Sequence, residues 1–204
     1  MRINTNSILN IMDLLFSFLI ELISSFYMRF RLTLRNVSFE KNVHFFGLTI
    51  IKKHSKGTIS IAKDCVFRSL PSSNLIGINR PCILSVLTES ATLKIGEGCG
   101  FSGTVIGCFN KIIIGKNVRC GANTLITDSD WHLDDFRSAL SKPIIIGDNV
   151  WLGVNVTVMK GVTIGNNTII GAGSIVTKNI PANVIAGGNP CKVIKEIISN
   201  QPSF

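Results

Sequence analysis

From Ile146 onward an aliphatic side chain returns at every sixth position: Ile146, Leu152, Val158, Ile164, Ile170 and Val176. A sustained period of six fits neither a helix nor an ordinary strand, whose side chains repeat about every 3.6 and 2 residues. Gly follows at 147, 153, 165 and 171, and the fifth position of each hexad is small or β-branched (Val150, Val156, Val162, Thr168, Ser174, Ile180). A unit this short cannot bury an apolar face alone and must stack on its neighbours. The pattern predicts an all-β solenoid of triangular coils. Each hexad forms one face and one corner, three hexads form a coil, and the aliphatic residue points inward. The adjoining Gly is expected at a cramped corner of positive φ.

The same spacing recurs at Ile114, Cys120 and Ile126, at Ile95 and Phe101, and at Ile61 and Phe67. It slips between 101 and 114, as a small bulge would make it. It slips again between 126 and 146, where WHLDDFRSALSKP predicts a loop over 131–143 projecting from the solenoid. Long loops on a repeat scaffold are often functional. Residues 36–94 carry the pattern weakly, which predicts irregular early coils. The chain thus divides into an apolar helical segment (1–35), a solenoid (36–186) and a C-terminal extension (187–204), in which KVIKEIIS reads as a short helix.

Residues 7–30 form an apolar stretch in which Asn10, Asp13, Ser17, Glu21 and Ser24 recur every three or four positions, one narrow stripe of a helix. Asp13 and Glu21 argue against a transmembrane span, and no small-x-small cleavage site marks a signal peptide. With Arg29, Arg31 and Arg35 following, the segment suits either contact with an anionic membrane face or packing against other copies of the chain.

Hydrophobic residues make up 46% and charged residues 16% of the 204, which excludes a disordered chain. The formal charge of +9 favours anionic partners. The cations are scattered and no nucleic-acid motif is present, so nucleic acid is not expected. The six Cys form no CxxC pair and read as reduced, buried residues of a cytoplasmic protein, in place at the inner face of a membrane if the helix binds lipid.

Of three His, only His132 sits where the repeat gives way to the loop, in LITDSDWHLDD, among Asp128, Asp130, Asp134 and Asp135. An imidazole beside a carboxylate is fixed in one tautomer and made more basic, as a general base requires. A metal site is not expected from three scattered His. No GxSxG elbow or Walker loop occurs.

The stretch IGDNVWLGVNVTVMKGVTIGNNTIIGAGSIVTKNIPANVIAGGNPCKVIKEI resembles the C-terminal half of hexapeptide-repeat acetyltransferases, left-handed parallel β-helices. It is similar to the galactoside and maltose O-acetyltransferases and to relatives that modify capsule and lipopolysaccharide sugars. The resemblance is strong over about residues 95–198 and absent over the first 35. It implies a homotrimer with active sites between neighbouring solenoids, acetyl-CoA as donor and a sugar hydroxyl as acceptor. It implies His132 as general base, with Asp128 or Asp130 orienting it, and a backbone N–H of Gly153 or Val154 as oxyanion donor. Trp151 would border the acyl and pantetheine channel, Ala172, Thr177 and Lys178 would line the CoA arm, and Lys192 and Lys195 would meet nucleotide phosphates. Ser102 and Trp131 are the nearest candidates for the acceptor side. Leu133 stands where the family commonly has Pro after its His. The DSDWH form is closer to the polysaccharide-modifying branch. An amino-sugar, serine or drug acceptor on the same fold, and a non-catalytic trimeric scaffold, are the competing readings.

Overall fold

A computed structural model describes residues 5–132 and 134–197. The chain is a left-handed parallel β-helix built on three sheets, with one long helix at its N-terminal end. The first face stacks the strands Ser38–Phe39, Thr58–Ile61, Thr92–Ile95, Lys111–Ile114, Ile144–Ile146 and Thr163–Ile164. The second stacks His44–Phe46, Val66–Arg68, Gly100–Ser102, Arg119–Cys120, Trp151–Leu152, Ile169–Ile170 and Val184–Gly187. The third stacks Ile50–Lys53, Ile83–Val86, Val105–Cys108, Leu125–Thr127, Thr157–Val158 and Ile175–Val176.

The hexad residues Ile146, Leu152, Val158, Ile164, Ile170 and Val176 are all buried, as are the fifth-position residues from Val150 to Ile180. Register follows: Leu152 lies between Cys120 and Ile170, and Val158 between Ile126 and Val176. The early coils are regular, contrary to the expectation from their weak pattern. Their second face carries Phe45, Phe67 and Phe101 inward, stacked at 5.1 and 4.9 Å. The residues 69–82 between two strands of one coil interrupt the count without disturbing the stack.

The corners differ from expectation in their chemistry. Gly147, Gly153, Gly165 and Gly171 are absent from the positive-φ residues. Gly147, Gly153 and Gly165 are required by contact, because the next coil's backbone crosses where a side chain would start. A Cβ on Gly153 would lie 2.6 Å from the Ala172 nitrogen. The left-handed conformation falls two residues later. At the corner between first and second faces it is taken by Asn42, Asp64, Gly98, Asn117, Asn149, Asn167 and Asn183. Asn tolerates that region through its short polar side chain. The amides also form a ladder: Asn117 donates to Asn149, Asn149 to Asn167 and Asn167 to Asn183.

The helix Thr5–Leu34 buries Met28 and Leu32 on the first coil. Its polar stripe turns toward the solenoid. The hydroxyls of Ser25 and Ser24 accept hydrogen bonds from the N–H groups of Phe45 (2.8 Å) and Gly47 (3.2 Å), satisfying the open edge of the second sheet. Glu21 adds a contact to Nδ1 of His44 at 2.8 Å. At the other end the expected C-terminal helix is a strand over its described part. Lys192–Glu196 runs antiparallel to Val184–Gly187, because the last edge of the second sheet offers unpaired backbone groups that a short helix would leave bare.

Candidate active site

The corner between second and third faces brings together Trp151, Gly153, Val154 and Ala172. They line a cavity of about 420 Å³ with Gly121, Ala122, Asn74 and Ile76. Glycine at 121 and 153 lets the coils close here, since a Cβ on Gly121 would meet the Val154 nitrogen at 2.8 Å. The Gly153 N–H is consumed by the Ile170 carbonyl at 2.8 Å. That excludes it as an oxyanion donor. The N–H groups of Val154 and Ala172 have no acceptor among the described residues, so the corner presents two free donors beside an exposed tryptophan. The Trp151 ring also borders a second cavity of about 470 Å³ with Arg119, Ile169, Ile197 and the asparagine ladder. A third, of about 380 Å³, holds Arg68, Asn74, Ser102 and Arg119 over the bare backbone of Gly100. Ser102 is buried there, and its hydroxyl accepts from the Asn74 amide at 3.0 Å. Lys192 and Lys195 are exposed on the terminal strand of the same sheet.

The His-bearing loop leaves from the corner between third and first faces. No strand lies among its described residues between Thr127 and Ile144. Trp131 has φ of 70°, a strained value for a tryptophan. Its ring lies over Gly107, edge-on to Phe109 at 5.2 Å, and its Nε1–H donates to Thr127 Oγ1 at 2.9 Å. His132 follows it and is exposed.

The carboxylates do not serve His132 as expected. Asp128 is fully buried and accepts from the N–H groups of Phe109, Asn110 and Lys111 at 2.7–2.8 Å. It closes the turn of the preceding coil. Burial, then this carboxylate, pushes the neighbouring Cys108 thiol up to about 12. Asp130 pairs with Lys160 and accepts from the Ala139 N–H at 3.1 Å. Lys160, by its hydrogen bond, holds the Asp130 carboxyl below the usual carboxylate range. Lys160 also donates to the Ala139 carbonyl at 3.1 Å, so Asp130 and Lys160 clamp the loop. Among the described residues no carboxylate pairs with His132. Thr177 and Lys178 are exposed on this same corner, two coils further along.

The candidate residues therefore form two groups. Trp151, Val154, Ala172, Lys192 and Lys195 lie on the second face and its far corner, with Ser102 beside them. Trp131, His132, Thr177 and Lys178 lie at the opposite edge of the third face. Sequence reasoning missed Lys160, Phe109 and Gly107, whose partners lie 20 to 30 residues away in the chain, and also Asn74. The positive φ of Trp131 had no signal beyond its place in the loop.

The stacked three-faced coil with a hexad core and a projecting loop is a hexapeptide-repeat left-handed β-helix. Residues 143–178 match the family described as bacterial transferase hexapeptide (six repeats). The chain is similar to galactoside O-acetyltransferase of Escherichia coli (strain K12), 46% identical over 113 residues that cover 52% of this chain and 55% of that enzyme. The chain thus spans about half the length of the curated relatives it matches. Two solved structures cover more of it. The polySia specific acetyltransferase NeuO superposes with a TM-score of 0.66 at 25% identity, over 81% of this chain and 73% of that one. The polysialic acid O-acetyltransferase OatWY gives 0.64 at 26% identity, over 82% and 76%.

Proposed function

We propose that this protein is an acetyl-CoA-dependent O-acetyltransferase of a glycan hydroxyl, working as a homotrimer on the cytoplasmic side of the membrane. The observation that carries the reading is the corner at Trp151, where the N–H groups of Val154 and Ala172 face a groove without acceptors of their own. A thioester carbonyl and an amide-rich pantetheine arm need such donors. The acceptor fits a polymeric surface glycan or its precursor, because two structural relatives that cover four-fifths of the chain at 25 and 26% identity are named for polysialic acid.

The two residue groups flank the third face, so a second copy set against it would bring His132 of one chain to the Trp151 groove of the next. Neutral His132 takes the proton of the acceptor hydroxyl, and the alkoxide oxygen attacks the thioester carbon. The N–H of Val154 receives the developing oxyanion. Collapse breaks the carbon–sulfur bond, and the imidazolium returns its proton to the departing CoA thiolate. Lys192 and Lys195 attract the nucleotide phosphates, and Thr177 and Lys178 from the neighbouring corner complete the CoA arm.

Thiol release from acetyl-CoA against a panel of glycan fragments tests this, with wild type beside His132→Ala. Turnover that requires both an acceptor and His132 is the expected result. CoA binding absent by calorimetry would overturn the reading and favour a scaffold.

A further inference from the structure

The N-terminal helix is two different objects along its length. From Glu21 on, one side is consumed by the solenoid through Ser24, Ser25, Met28 and Leu32. From Leu9 to Leu19 every side chain is exposed, and only Asn10, Asp13 and Ser17 among them are polar. The apolar residues leave a single narrow polar stripe, with Leu14, Leu15 and Phe18 each more than half exposed. A coiled-coil partner uses two positions in each heptad, and a groove-bound helix uses one face. Apolar surface round most of the circumference calls for a surrounding apolar medium.

Charge points the same way. The first 70 residues hold ten Lys and Arg against four Asp and Glu, so most of the net +9 lies at this end. Arg31 and Arg35 stand at the end of the helix, while the Arg29 guanidinium donates to the Val43 carbonyl of the first coil. The apolar surface also continues onto the solenoid. Phe16 and Ile20 share a cavity of about 390 Å³ with Phe46, Leu70 and Leu75, edged by Asp13, Ser17, Ser72 and Ser73, and Leu75 is 94% exposed. The helix from Leu9 to Leu34 is long and apolar enough to cross a membrane. Attachment separates lying from spanning: from Ser24 on, one side is fixed to the first coil, and Asp13 sits in the free half, where a mid-membrane carboxylate is costly.

We propose that the free half of this helix lies in one leaflet of an anionic membrane, with Arg31 and Arg35 at headgroup level and the serine-bearing side fixed to the first coil. Flotation of the full-length protein with vesicles tests it, using phosphatidylcholine alone and phosphatidylcholine with phosphatidylglycerol. The expected result is recovery with the anionic vesicles at least about tenfold above the neutral ones, reduced by added salt. A Leu14→Glu, Phe18→Glu double variant should stay unbound, with circular dichroism, melting temperature and turnover on soluble acceptors unchanged. Equal flotation of wild type and double variant would overturn the proposal. So would wild type absent from both vesicle fractions while the double variant dissociates in light scattering, which would show the face covered by other copies. Turnover on a soluble acceptor is read separately, so loss of the enzymatic reading and loss of this one are distinguishable.

Discussion

Trp131 lies on Gly107 so closely that a Cβ at 107 would sit 2.3 Å from the ring's Cζ2. The ring's edge carbons leave no room and Thr127 holds its nitrogen, so a methyl group at 107 must push the tryptophan off the third face.

Gly107→Ala should therefore displace the start of the His132 loop while the coils stay intact. Overpacking of this kind costs about 1–3 kcal/mol, and misplacement of a base by an ångström costs up to about a hundredfold in rate. Tryptophan emission shifted to the red, with turnover reduced at least about tenfold, is expected. Unchanged emission and rate would contradict the role given to this contact.

Asp128→Asn and His132→Ala should separate a structural carboxylate from a catalytic base. The amide nitrogen cannot accept the N–H groups that Asp128 now accepts, and loss of hydrogen bonds to a charged group costs about 1.5–3 kcal/mol. Its melting temperature should fall, whereas His132→Ala should lose turnover at an unchanged melting temperature. Calorimetric scans of both variants decide it.

The Asp130–Lys160 clamp sets a pH expectation. Its carboxyl is held low in the folded chain, so the contribution of the pair is present above the ordinary carboxylate range. It is lost only as pH falls through the depressed folded value. The melting temperature of the wild type should therefore carry an acid-dependent contribution from this pair. Lys160→Met should remove that contribution and, by releasing the loop, lower turnover. Identical dependence of the melting temperature on acid pH in wild type and variant would contradict the clamp.

The asparagine ladder gives a graded test. Asn167→Ala must hold a left-handed φ of 56° with a Cβ and without the amide bonds, a loss of about 1–2 kcal/mol from the backbone alone. Asn167→Gly keeps the conformation and should lose less. Equal denaturation midpoints for the two would remove the conformational part of the argument.

The inward residues were legible because a solenoid writes its core into a fixed local period. Leu152 and Val158 could be placed without any knowledge of their partners. The corners were half legible: glycine marks them, yet the left-handed residue is the asparagine after it, and the glycine is needed by a coil 18 or so residues away. Asp128 misled for the same reason. Its nearness to His132 in sequence suggested a pair, while its N–H partners at 109–111 lie one coil back. Lys192–Glu196 has helical spacing of Val and Ile, but an open sheet edge outweighs local preference.

Both edges of the second sheet are closed, by the serines of the helix at one and by the returning strand at the other. A parallel solenoid without such closures would offer each molecule as a template for the next, and the product would be a filament. The returning strand carries Lys192 and Lys195 on its outer run, which discourages further pairing. The lysines proposed to meet CoA phosphates would thus also oppose end-to-end growth along this sheet. A chain ending after Cys191 should grow into fibres even though every coil of its core is intact.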